Sequence, residues 1–352
     1  MARIGIITFL HNENCGSSLQ AWALQRALLG MSHRPLGLDY RPDRREQILN
    51  LLRSGNSPAV VLDSMRRRKG RGERNTAGFD AFRRERLTLS APCANQKALR
   101  AAARDCEILL CGSDQIWSPE WLNPAYFLTF GEKQLRVAYA ASLGVSRLPN
   151  GTKQRKMRRW AAPFRAVSVR EEEGREILRQ LLPEREIAVM PDPVLLLTRE
   201  EWLELAGNPP AEQKLVCYFL KDRPEHWARA EQLARERGLQ LQPLGVTAEG
   251  RAYPESVPNP DPVQWLTELA GAAAVITDSF HGAAMAAILG KPLTICRRWA
   301  DGDPASKNSR LDQLRRLAGW EKDEDCLPGP EVERRLELER QRGLRWLRES
   351  LG

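Results

Sequence analysis

Short runs of apolar, β-branched residues alternate along this chain with longer amphipathic stretches, and that alternation admits few folds. Runs too short for helices suit strands buried on both faces, and the helical stretches between them suit the crossovers that parallel strands require. The fold class expected is therefore α/β, as two Rossmann-like units with parallel sheets. Strands are predicted at Ile4–Phe9, Leu36–Tyr40, Ile108–Cys111, Val137–Ala141, Ala166–Val169 and Ile187–Met190. A second set is predicted at Leu215–Leu220, Gln240–Leu244, Ala274–Thr277 and Leu293–Cys296. Helices fall around Glu225–Arg237, Pro262–Ala270 and Gly282–Leu289, and a charged amphipathic helix from Pro330 to Leu351 can pack on either unit. The first helix is the best marked. Ser17 or Ser18 supplies an N-cap, Leu19, Trp22, Ala23, Arg26 and Ala27 follow at helical spacing, and Gly30 is placed to stop it.

At 352 residues the chain exceeds what one hydrophobic core fills. Met190-Pro191-Asp192-Pro193, with two prolines, reads as a hinge, which divides the chain into residues 1–193, 194–328 and a final helical segment 329–352. The balance of 54 Lys+Arg against 45 Asp+Glu gives a net charge of +9 and favours an anionic partner: a small substrate, a membrane surface or nucleic acid. No run approaches the roughly 18 apolar residues of a membrane span, and the first residues look like a strand rather than a signal peptide, so a cytoplasmic location is expected. Seven scattered cysteines without a CxxC pair, and only four histidines, read as reduced thiols with no metal site. The basic run Arg66–Arg74 has no interleaved aromatic residue for base stacking, so a solvated or lipid-touching loop is expected there and no nucleic-acid partner.

In open α/β sheets ligands bind beyond the carboxyl ends of the strands. Five polar turns fall there: His11–Ser18, Gly112–Trp117, Ser142–Gly144, Arg170-Glu171 and Asp278–Gly282. His281 opens a small-residue helix, where backbone amides favour a bound anion and a neutral imidazole; a structural histidine capping its own helix is the other reading. Arg170 offers a bidentate fork for phosphate or carboxylate, or else pairs with Glu171 or Glu172. Ser113 and Asp114 can orient a sugar hydroxyl, although on local grounds they cap the following turn. Trp117, Trp121 and Tyr126 can form a stacking wall but are taken as core. Cys111 ends a buried strand with no histidine near it in sequence, which argues against a nucleophile.

Seven ordered segments together resemble the polysaccharide pyruvyl transferase family: Asn14–Gln25, Gly112–Trp117, Tyr139–Gly144, Ser168–Glu171, Pro191–Leu196, Thr277–Gly282 and Asn308–Leu314. The resemblance covers nearly the whole chain and implies a fold similar to that of GT-B glycosyltransferases. It further implies transfer of a carboxyethylidene group from phosphoenolpyruvate, as co-substrate and with no cofactor, to hydroxyls of a sugar, a polysaccharide repeat unit or a lipid-linked oligosaccharide. By carry-over His281 and Arg170 are the catalytic candidates. Ser279, Gly282, Arg310 and Arg297 fall on the donor side, and Asn14, Ser17, Ser113, Asp114 and Gln115 on the acceptor side. Many members carry arginine two residues before the histidine; here that position is Ser279, so a cation must come from Arg310, Arg297 or Arg298. A nucleotide-sugar glycosyltransferase, or a silent glycan- or anion-binding homologue, is the alternative. A polyprenyl-linked acceptor implies peripheral contact with the inner face of the membrane.

Overall fold

The computed structural model describes residues 1–53, 76–148, 151–245, 256–299 and 308–352. The basic run 66–74 lies outside them. The first sheet has six parallel strands: β1 (Arg3–Ile7), β2 (Arg34–Gly37), β3 (Ile108–Cys111), β4 (Leu135–Ala141), β5 (Ala166–Val169) and β6 (Ala188–Val189), in the order β2-β1-β3-β4-β5-β6. The second has four: β7 (Lys214–Tyr218), β8 (Gln240–Pro243), β9 (Ala274–Thr277) and β10 (Leu293–Ile295), in the order β10-β9-β7-β8. Every pairing is parallel, as continuous apolar runs such as Ile108-Leu109-Leu110-Cys111, buried on both faces, require. β2 starts and stops earlier than expected. Beyond Gly37 the Leu38 amide still reaches the Ile6 carbonyl at 2.7 Å, but the Tyr40 amide turns back to Leu38 at 2.8 Å and leaves the ladder.

Helix α1 (Cys15–Gly30) is buried around almost its whole circumference, which its even spread of Leu, Ala and Trp foretells. Leu24 and Leu28 pack with Ile4 and Ile6 of the first sheet. Leu19 and Trp22 instead join Trp202, Leu266 and Phe280 from the second half, with the Trp22 and Trp202 rings 5.2 Å apart. One core thus runs through both halves. The cap differs from expectation: Asn14, not Ser17 or Ser18, caps the helix, its side chain accepting from the Ser17 amide at 3.0 Å. The helix begins earlier because the Ser17 hydroxyl is taken by Asp114.

Further helices are α2 (Arg44–Arg53), α3 (Thr76–Arg86), α4 (Gln96–Ala102), α5 (Gly151–Ala161) and α6 (Glu172–Leu181), then α7 (Arg199–Ala206), α8 (Pro224–Arg237) and α9 (Pro262–Gly271). Three more follow: α10 (Phe280–Ile288), α11 (Ser309–Ala318) and α12 (Pro330–Leu351). The last of these returns to the first sheet, where Leu347 and Leu351 pack with Ile4, Ile6 and Tyr139. Among the described residues no helix is long and apolar enough to cross a membrane. All seven cysteines are free and buried, Cys111 among them, and burial pushes its thiol well above the usual range. Trp117 is core, stacked on Phe127 at 4.7 Å; Tyr126 meets Phe9 edge-on at 5.1 Å, while Trp121 is 40% exposed.

Candidate active site

The carboxyl ends of β3, β5 and β6 meet the amino end of α10 where the two halves join. α10 starts two residues earlier than expected, with Ser279 as its N-cap, so the first turn contains Phe280 and His281. Ser279 Oγ accepts from the Gly282 amide at 3.4 Å, and its own amide is held by Thr277 Oγ1 at 3.0 Å. Opposite stands the first turn of α1. A Cβ at Gly16 would come within 2.3 Å of His281 Cγ and Nδ1, so only glycine lets the two helix ends close on each other. Both amino termini, each a partial positive charge, therefore flank one histidine.

Asp192 is the node of this junction. It lies in the segment 190–193 that follows β6, and its carboxylate is 1% exposed and fully engaged. Oδ2 accepts from Arg170 Nη1 and lies 3.6 Å from His281 Nε2, while Oδ1 takes the Val194 amide at 3.1 Å. Ser113 Oγ is 2.8 Å from the Ala140 carbonyl and 3.1 Å from Asp192 Oδ2, sharing its one proton between them. Burial pushes the Asp192 carboxyl up, but the Arg170 guanidinium, with His281 and the Val194 amide, overrides this and holds it well below the ordinary carboxylate range. The signal in the sequence was the motif itself; its two prolines drew attention away from the acid between them.

Arg170, 3% exposed, is surrounded by acids: beyond Asp192, its Nη2 lies 3.9 Å from Asp114 Oδ1 and its Nε 3.9 Å from Glu171 Oε2. Its other face covers the Phe280 ring at 4.8 Å. Burial opposes the guanidinium charge, and the three carboxylates more than restore it. Among the described residues Nε and Nη2 nevertheless have no hydrogen-bond partner. Glu171 does not form the surface pair that was the other reading of this arginine. It is buried, and its Oε1 collects Ser142 Oγ at 2.8 Å and the amides of Leu143 and Gly144 at 2.9 and 3.2 Å.

Arg310, near the start of α11, differs from every other cation here. It is 9% exposed, its Nε has no partner, and among the described residues no carboxylate lies within ion-pairing distance of it. Burial first, and then repulsion from Arg170, lowers its pKa to about 10. Arg298 is nearby in charge terms, 3.8 Å from Asp278 and over the Trp299 ring at 4.6 Å. Asp278 is pushed up by burial, while the amides of Leu220 and Lys221 at 2.7 and 3.2 Å hold its charge. Arg297 points elsewhere: Asp323 at 2.5 Å and Asp312 at 2.8 Å hold its guanidinium.

The expected acceptor-side residues collect around Asp114. Ser17 Oγ donates to its Oδ2, and Oδ1 accepts from the Gln115 amide at 2.8 Å, the local cap foreseen. Gln20 bridges the Ser113 amide at 3.0 Å and Thr8 Oγ1 at 2.9 Å, which locks the β3 turn against α1. The buried Gln115 Nε2 has no hydrogen-bond partner among the described residues. Among the described residues no three potential metal ligands come together.

Two parallel sheets joined by a shared core, with a returning C-terminal helix, define a GT-B-like α/β fold. The polysaccharide pyruvyl transferase family model matches residues 14–298, and the chain belongs to that family: it is a transferase. The chain matches no curated protein. UDP-GlcNAc 2-epimerase from Neisseria meningitidis, bound to UDP-GlcNAc, has a similar fold, with a TM-score of 0.51, 9% identity and coverage of 100% of this chain and 99% of that one. S. aureus MnaA with UDP follows at 0.49 and 11%, covering 96% and 87%, and E. coli heptosyltransferase WaaC with ADP at 0.41 and 13%, covering 90% and 98%.

Proposed function

We propose that this transferase moves a pyruvyl group from phosphoenolpyruvate onto two hydroxyls of a cell-surface or exopolysaccharide sugar, or of its lipid-linked precursor. The observation that carries the reading is Arg310: its guanidinium is buried, and among the described residues its Nε has no hydrogen-bond partner and no carboxylate lies within ion-pairing distance. Burial and the Arg170 charge outweigh the more distant Glu171 and Asp114 and favour an entering anion. Phosphoenolpyruvate brings a carboxylate and a phosphate. Arg310 takes one of them, and Arg170 Nη2 together with the α10 amides supports the other, so that the departed family arginine at Ser279 is replaced from α11.

His281 then gives a proton to the methylene carbon, and the enol carbon becomes an oxocarbenium-like centre. One sugar hydroxyl adds to it, the carbon–oxygen bond to phosphate breaks, and the second hydroxyl closes the ketal. Of the two hydroxyl protons, one restores the acid and the other leaves on hydrogen phosphate, so charge and atoms balance. A lipid-linked acceptor places the protein at the inner face of the membrane, where its net charge of +9 holds it to anionic lipid.

The test is phosphate release from phosphoenolpyruvate that depends on an added glycoside, with thermal unfolding run in parallel. Phosphoenolpyruvate, and not UDP or ADP, is expected to raise the unfolding temperature. At about 100 times its dissociation constant the gain is roughly 2.7 kcal/mol. Stabilisation by the nucleotides alone transfers the site to a nucleotide-sugar donor and ends this reading.

A further inference from the structure

We propose that His11 and Asp39 form a second proton-transfer site, in which His11 removes the proton from an acceptor hydroxyl. This deepens the pyruvyl-transfer reading and rests on it. Ketal formation releases two hydroxyl protons: one restores the His281 acid, and the other is taken by His11, which passes it by way of solvent to the departing phosphate. Of the other three histidines, His33 accepts the Ala2 amide at 3.2 Å and His226 meets the Arg297 carbonyl at 3.1 Å, so both are tied to main chain. His11 faces an acid: its Nε2 is 2.5 Å from Asp39 Oδ1.

The geometry sets the tautomer. Asp39 is 2% exposed and also receives Arg41 Nε at 3.0 and 3.1 Å. Burial raises its carboxyl, but the bonds from His11 and Arg41 prevail and keep it ionised. An ionised carboxylate only accepts, so the His11 proton sits on Nε2 and the lone pair on Nδ1. Nδ1 makes no hydrogen bond among the described residues, and the side chain is 24% exposed. The other charged groups around it are Arg41 beyond β2, and Asp80 and Arg83 on α3, paired to each other at 2.6 Å. Arg83 also donates to the Leu10 carbonyl at 2.8 Å and fixes the loop that carries the ring.

That loop runs straight to the junction. Gly16, five residues on, abuts His281, which limits the Cα separation from His11 to about 18 Å. Asn12, next to His11, donates to Ser17 Oγ at 2.9 Å, and Ser17 in turn donates to Asp114. The loop that carries His11 is thus tied to the proposed acceptor-side residues through Ser17 and Asp114, and its far end abuts His281.

The experiment measures glycoside-dependent phosphate release from phosphoenolpyruvate by the full chain, using methyl galactoside, methyl mannoside and methyl N-acetylglucosaminide as acceptors. In His11→Gln, kcat is expected to fall about 100-fold or more, the rate to rise steadily with pH where the wild type levels off, and phosphoenolpyruvate affinity to stay within twofold. Asp39→Asn, which frees the tautomer and leaves the ring, is expected to lose about tenfold in kcat with donor affinity kept. A wild-type rate and pH profile in either variant overturns the dyad and leaves pyruvyl transfer standing. Absence of phosphate release by the wild type with all three glycosides overturns the donor reading, and the dyad's role with it.

Discussion

Arg170 and Arg310 are the same residue type, equally hidden from water and close enough to repel each other, yet their surroundings are opposite. Arg170, at the end of β5, has Asp192, Asp114 and Glu171 around it and an aromatic ring beneath it. Arg310, on α11, has no carboxylate within ion-pairing distance among the described residues. The first sheet supplies acids that neutralise its own cation; the second half supplies a cation and a helix end with spare positive charge. The contrast teaches that burial of charge has two uses. A closely paired guanidinium ties the halves together, while one whose nearest described acids stand off keeps more of its charge exposed to an incoming anion.

The sharpest way to break this comparison is Asp192→Ala, which strips Arg170 of its closest counterion. Unfolding by urea is expected to show a loss of about 3–5 kcal/mol, whereas replacing both partners, Arg170→Met with Asp192→Leu, recovers most of it. A mild effect of the single change means that Asp114 and Glu171 suffice. The same acid dictates a pH dependence. Its folded pKa lies below the unfolded value, so its contribution is complete above about pH 4 and is lost as pH falls through the depressed value. Asp192→Asn is expected to flatten the acid limb of stability against pH.

On the other side of the contrast, Arg310→Ala is expected to weaken phosphoenolpyruvate binding about 10- to 100-fold, roughly 1.5–3 kcal/mol. Arg310→Met without ligand is expected to melt above the wild type, because a buried charge with no close counterion among the described residues is gone. Unchanged donor affinity removes Arg310 as the stand-in for Ser279. Gly16→Ala pushes a methyl into the His281 ring and costs about 1–2 kcal/mol, a penalty that His281→Ala in the same chain relieves. The smallest effect belongs to Arg297→Ala: with its guanidinium committed to Asp312 and Asp323, donor affinity is expected to stay within twofold.

Much of the framework was legible in the residues. β3, β5, β9 and α12 fall where the apolar runs and helical periodicity place them, since those patterns reflect burial on both faces or along one stripe. The rule that ligands gather at strand ends picked out Ser113, Asp114, Arg170 and His281, which do come together. It passed over Asp192, because prolines advertise a break in the chain and say nothing of the acid between them. It marked His11 but not Asp39, although both lie just past the ends of the neighbouring strands β1 and β2.

By itself the sequence determined the parallel α/β framework, the family and the set of polar turns, since periodicity, punctuation and strand-end chemistry are local properties that a chain carries along its length. Only the tertiary structure decided which acid meets which arginine, that Gly16 yields its space to His281, that His11 leans on Asp39, and that Arg310 Nε finds no hydrogen-bond partner among the described residues. Those are contacts between residues tens to hundreds of positions apart. Their energies depend on distance and on the exclusion of water, and neither exists until the two sheets have packed around α1.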